Sequence, residues 1–290
     1  MQELRLTQPV TVTGSNFFGW PSHITFSPVP STVPQHLHDS WLWRPNGEAH
    51  HPIPIDPSVV EYRKRRLRLA NVHSYLEVIE HIAPLRWLGI NGLVLEGHGW
   101  TPYHGRPHEY FDALQSHLCP SGSQVQWYLP QREIYYKHQD EMGGYSLFIP
   151  QDPTLAPNLN LKVTVRYPVV GKITVHRSLP SQHLLLRNDF RAYTQGLPHW
   201  LYYLSAIGQH FPLWKHHGHV NWYLKETPSP KHMEATLDAF ASHRITDLLG
   251  ALALVHPSRL LAGTVISVFG GHQDDLAFIK KLLPQAPLLC

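Results

Sequence analysis

Apolar and polar positions alternate in short runs over the first seventy residues. "LTQPVTVTG", "HITFSPV", "WLWRP" and "RLRLANV" set β-branched and aromatic residues between turn formers, which predicts strands. The period then changes. From Ser74 to Leu88, "SYLEVIEHIAPLRWL" places Leu76, Ile79, Ile82 and Leu85 on one stripe, predicting a helix that Pro84 kinks. Gly89-Ile90-Asn91-Gly92 ends it, "LVLEG" predicts a buried strand, and "HEYFDALQSHL" predicts a second helix beyond a Gly/Pro-rich loop.

The far end of the chain has the same order. "MEATLDAFASHRITDLLGALALV" predicts a long amphipathic helix, "GTVISVFGG" a buried strand and "QDDLAFIKKLL" a closing helix. Between the halves, "CPSGSQ" at 119–124 is a Pro/Gly/Ser cluster that predicts a join. Five strand-like runs follow, "VQWYLP", "REIYYKH", "YSLFIP", "LKVTVRYP" and "GKITVHRS", and "FPLWKHHGHVNWYLKETPSP" predicts an insertion. The expected class is α+β, with two domains of related topology over residues 1–120 and 121–290. Each is a sheet layered with paired helices, and a cleft lies between them.

Composition narrows the function. A formal charge of +3, from 24 basic and 21 acidic residues, lacks the concentrated basic face of a nucleic-acid binder, and "YRKRRLRL" at 62–69 reads as an exposed strand. Two cysteines, Cys119 and Cys290, provide neither a disulfide framework nor a four-thiolate zinc site, which fits the cytoplasm. The N-terminus lacks the apolar core of a signal peptide, and His256-Pro257-Ser258-Arg259 cuts the most apolar region, which argues against a membrane span.

Histidine is the compositional oddity, with 23 residues. Several pairs stand four apart, including His73 with Glu77, His104 with His108, and His108 with Asp112, while "KHHGH" at 215–219 groups three imidazoles. His243 and Asp247, one helical turn apart, share a helix face. Glu80-His81 interrupts the corresponding helix of the first half. Spacing alone does not choose among these sets.

Taken in order, several segments resemble the zinc-dependent UDP-3-O-acyl-N-acetylglucosamine deacetylases, the family that commits bacterial lipid A synthesis. "VIEHIAPLRWLGINGLVLEG" is similar to that family's Glu-His helix and following strand, "SHRITDLLGALAL" to its His-Lys-x-x-Asp helix, and "GTVISVFGGH" to its strand ending in Gly-His. "YPVVGKITV" and "RAYTQGL" stand where the family has a hairpin and an Ala-Arg-Thr-Phe segment. The resemblance implies His81, His243 and Asp247 as zinc ligands and Glu80 as general base. It further implies Thr194 at the developing oxyanion, a cationic His272 as second catalytic group, and Arg244 facing a substrate diphosphate.

The chain departs from the family pattern at named places. Ala251 stands where the family has the acid that orients its catalytic histidine, Phe18 replaces a histidine, and "YHGRP" replaces a Met-Asp-Gly-Ser-Ala loop. The expected function is removal of acetate from an acylated UDP-sugar by a cytoplasmic zinc enzyme, with monomer as the expected state and neither nucleic acid nor membrane span involved. The alternatives are zinc deacetylation of another N-acyl substrate, or a diverged relative that binds with little turnover.

Overall fold

The alternating segments become strands wherever one face meets the core. Arg66–Ala70 buries Leu67 and Leu69 and leaves Arg66 and Arg68 half-buried on the other face, while Tyr145–Ile149 buries Ser146 and Phe148. Trp41–Pro45 is buried on both faces through Trp41, Leu42 and Trp43. This computed structural model describes residues 1–16, 20–45, 51–63, 66–102, 107–139, 143–167, 171–179 and 230–283. The class is α+β, with sheet predominating.

Two five-stranded sheets share one plan. In the first, the order is Val10–Ser15, Pro21–Pro28, Leu93–Gly97, Trp41–Pro45, Ile53–Pro54. The central strand Leu93–Gly97 runs antiparallel to Pro21–Pro28 and parallel to Trp41–Pro45. In the second, the order is Ile134–Lys137, Tyr145–Ile149, Gly263–Val268, Leu159–Tyr167, Gly171–Leu179, and Gly263–Val268 again has one antiparallel and one parallel neighbour. In both sheets the central strand comes last in sequence and enters between two hairpins.

Three α-helices are described: α1, Pro107–Leu114; α2, Pro230–Ala253; and α3, His272–Leu282. From Ala241 onward α2 is enclosed on nearly every side, so this part is a core helix and not the amphipathic helix its sequence predicts. None of the described helices is long and apolar enough to cross a membrane.

A further expectation is corrected. The helix expected over 74–88 is a short strand, Tyr75–Glu77, followed by two 3-10 segments, Ile79–His81 and Ala83–Leu88. Val78 adopts φ 65°, a left-handed conformation that a β-branched side chain rarely enters, and it ends the strand and redirects the chain. The Pro/Gly/Ser segment at 119–124 lies in a strand, Leu118–Gln124, paired antiparallel with the N-terminal strand Gln2–Leu6. A single hydrophobic cluster also runs from Leu6 through Trp87 and Leu249 to Leu282, through both halves of the chain.

Polar groups pin the 3-10 segments to α2. Trp87 Nε1 donates to the Leu249 carbonyl at 3.0 Å, and Arg86 Nη1 donates to the carbonyls of Ala253 and His256 at the end of the helix, the latter at 2.6 Å. A cation there complements the helix C-terminus, and although burial pushes Arg86 down to about 9, it remains charged at pH 7. His256 is held at about 4, first by burial and then by Arg259 and Arg86. A folded pKa below the ordinary 6.5 means that the unfolded chain takes up the proton first. Stability from this group is therefore complete above about pH 6.5 and is lost as pH falls towards 4. Replacing it, His256→Asn, is expected to flatten the thermal midpoint across that window, and an unchanged acid slope in calorimetry removes His256 as a source of acid sensitivity.

Candidate metal centre

Three segments bring the site together. Glu80 and His81 sit on the first 3-10 segment, His243 and Asp247 one turn apart on α2, and His272 at the start of α3. Two non-glycine residues among those described have positive φ, Val78 and Phe269 at 56°, and each lies within three residues of a site segment. Backbone strain of this kind persists where the surroundings over-determine it, commonly at functional sites. Leu67 N–H donates to Glu80 Oε1 at 3.0 Å, so the hairpin strand also holds the glutamate.

Gly250 explains how α2 reaches the 3-10 segment. A Cβ built on it would overlap the Glu80 carbonyl oxygen, so the helix backbone packs directly on the backbone of the site. Gly250→Ala must displace one element from the other. The expected cost is about 1–3 kcal/mol of stability, together with reduced metal content. Full occupancy and an unchanged melting temperature in the purified variant would show that the approach is looser than described.

Donor atoms of His81, His243 and Asp247 lie within 4.8 Å of one another, the group among the described residues that could hold a metal ion. Asp247 is the hub. Its Oδ1 is 3.2 Å from His81 Nε2, and its Oδ2 is 3.4 Å from His243 Nε2 and 3.6 Å from His272 Nε2. His272 Nδ1 is 3.8 Å from Glu80 Oε1. All five side chains are buried or nearly so, and Glu80 Oε2 is enclosed without a hydrogen-bond partner, the type of orphaned oxygen that a cation or an ordered ligand satisfies.

The electrostatics centre on Asp247. Burial alone would raise Asp247, but His243, His272 and His81 hold it well below the usual carboxylate range. His243 is lowered, chiefly by burial, and presents a neutral imidazole, the form that binds metal. For His81 burial is outweighed by the hydrogen bond to Asp247 and by Glu80, so its pKa is raised. Burial pushes Glu80 up to about 8, opposed in part by His81, and pushes His272 down to about 4, opposed in part by Asp247. In the metal-free protein, burial thus favours the neutral form of His272 at neutral pH.

The expected site residues thus divide. His81, His243, Asp247, Glu80 and His272 converge, while Thr194, Phe18 and the "KHHGH" cluster lie outside the described residues. Arg244 is buried, with Nη1 and Nη2 donating to the two carboxylate oxygens of Asp275 at 2.6 and 2.5 Å, so its charge is used inside the protein. Ala251 packs in the apolar core, and Glu80 and Asp247 face His272 in place of an acid there. Asp274 instead accepts the Gly271 N–H at 3.1 Å. Sequence reasoning missed Asp275 and Gly250. A glycine inside a helical run was the available signal for the second, and Asp275 had none.

A scan against protein-family models and a search of curated proteins both find no match for this chain.

Proposed function

We propose that the chain is a zinc-dependent amidohydrolase that removes acetate from UDP-3-O-acyl-N-acetylglucosamine or a closely related N-acetylated sugar nucleotide. The observation that carries this reading is the convergence of His81, His243 and Asp247 with Glu80 and His272 in one buried cluster. Two imidazoles and one carboxylate form a set suited to catalytic zinc, leaving a coordination position for water or substrate. In this reading residues 1–120 and 121–290 are related α+β halves, and the site lies in a cleft between them. The shared plan of the two sheets and the supply of ligands from both halves support it.

When bound, zinc supplies a Lewis acid for the amide carbonyl, activates water for attack and favours the ionised form of a nearby carboxylate. Glu80 takes the proton of the attacking water and passes it to the leaving amine nitrogen. His272 donates a ring N–H to the oxygen that gains charge, and the Thr194 hydroxyl is a second donor by resemblance. The buried wall around these groups strengthens each interaction by excluding water. The enzyme would act in the cytoplasm on a soluble acylated UDP-sugar, in lipid A synthesis, as a monomer.

One observation favours a second substrate for the same chemistry. Arg244, the cation assigned by resemblance to a diphosphate, is engaged by Asp275, which suits an N-acyl substrate recognised by other means. The decisive experiment combines metal analysis of chelator-free protein with acetate release from UDP-3-O-acyl-N-acetylglucosamine. Zinc with turnover supports the reading, zinc without turnover moves the substrate elsewhere, and the absence of zinc rejects the metal centre.

A further inference from the structure

A polar network adjoins the residues of the metal centre. Arg244 follows the ligand His243 on α2, and Asp275 lies one turn into α3 from His272. The two form a bidentate ion pair with side-chain exposures of 8% and 0%, values that leave it almost no solvent. Arg244 Nη2 also lies 3.4 Å from Ser267 Oγ on the central strand, whose neighbour across the sheet, Ser146, bonds His138 Nε2 at 2.9 Å. Gly270 rests on this floor. A Cβ there would lie 2.9 Å from Ser267 Oγ and 3.0 Å from both Arg244 Nη2 and His138 Cε1. The turn that delivers His272, Phe269 to Gly271, is thus seated on the guanidinium.

A buried ion pair contributes little net stability compared with apolar residues of the same volume, so its presence here calls for a reason of geometry. We propose that Arg244 and Asp275 are positioning residues that lock the start of α3 to α2, so that His272 faces Glu80 and Asp247, and that Arg244 makes no contact with a substrate phosphate. This rests on the amidohydrolase reading for its kinetic consequence only.

The test compares Arg244→Lys, Asp275→Asn and the double variant Arg244→Met with Asp275→Leu, whose apolar pair keeps the fold if a single change does not. Displacing a reacting group by about 1 Å can cost a hundredfold. Each variant is therefore expected to keep its zinc and lose at least tenfold in kcat, with KM within about threefold, and the double variant to lose no more than the worse single one. Asp275→Asn should match Arg244→Lys. Calorimetric titration of the zinc protein with UDP reads the rival role directly. Affinity unchanged by Arg244→Lys supports positioning, whereas a tenfold loss confined to the Arg244 variants, with KM rising and kcat kept, overturns it. Should wild type show neither turnover nor UDP binding, the substrate reading fails by itself. The ring resonances of 15N-labelled His272 in zinc-loaded protein then decide. A shift in Asp275→Asn with the His81 and His243 resonances in place supports positioning, and unmoved His272 resonances reject it.

Discussion

Asp247→Ala is expected to empty the metal centre. The carboxylate lies within 3.6 Å of three imidazoles, His81, His243 and His272, and holds two of the three donor atoms together. Loss of a partner one shell further out typically costs ten- to hundredfold in metal affinity, so loss of a ligand should cost at least about a hundredfold. Zinc should fall from about one per chain to a trace, and His243→Ala should do the same through the facing donor. The variant should still fold. Removing one member of a buried pair is severe when the other charge is left behind, but His81 can release its proton once its acceptor is gone. Asp247→Asn separates the two effects, since it keeps the shape and the Oδ1 acceptor and removes the charge. A control variant, His98→Ala, changes an exposed imidazole bonded to Ser74 Oγ at 2.8 Å and should keep its zinc. Full occupancy in both Asp247→Ala and His243→Ala, with loss on changing another histidine, would move the centre elsewhere.

The strands were legible in the sequence because they alternate over one buried face, as Leu67 and Leu69 do against Arg66 and Arg68. The buried runs "LVLEG" and "GTVISVFGG" were legible as strands too, and they are the central strands of the two sheets. The helix expected over 74–88 does not form. Its apolar residues, Leu76, Ile79, Ile82 and Leu85, step by three, the period of a 3-10 helix and not of an α-helix at 3.6. The left-handed Val78 has no sequence signal at all, since it is imposed by its surroundings.

For the site, spacing left several sets of histidines and acids open, and only the resemblance singled out His81, His243, Asp247, Glu80 and His272, which come from three segments far apart along the chain. What neither could supply was direction. Arg244 reads as a free cation beside a ligand, and only the packing of α3 against α2 reveals Asp275 as its partner. His272 reads as a histidine that has lost its orienting acid at Ala251. In three dimensions Glu80 and Asp247 lie within 4 Å of its ring, a relation between segments that no spacing encodes.

Glu80→Gln is expected to separate chemistry from metal binding. The amide keeps a carbonyl for the Leu67 N–H, now 3.0 Å from Oε1, and is no ligand, so zinc content should hold. If Glu80 is the base proposed above, turnover should fall about a hundredfold or more. Stability of the zinc-free protein offers an independent reading. Burial raises Glu80 to about 8 from an ordinary 4.5, so the folded state holds a proton that the unfolded state releases. That contribution to stability is complete below pH 4.5 and is lost as pH rises towards 8. Above this range wild type carries an ionised, poorly solvated carboxylate with one oxygen lacking a partner, and the glutamine variant does not. In metal-stripped protein the variant should therefore match wild type near pH 4.5 and melt at a progressively higher relative temperature up to about pH 8, with a constant difference beyond. Parallel melting curves across this range would deny Glu80 its buried proton, and undiminished turnover would remove it as the base. A variant that is more stable without metal and inactive with it meets both expectations, and identifies Glu80 as a group held at a cost to the fold for the sake of the reaction.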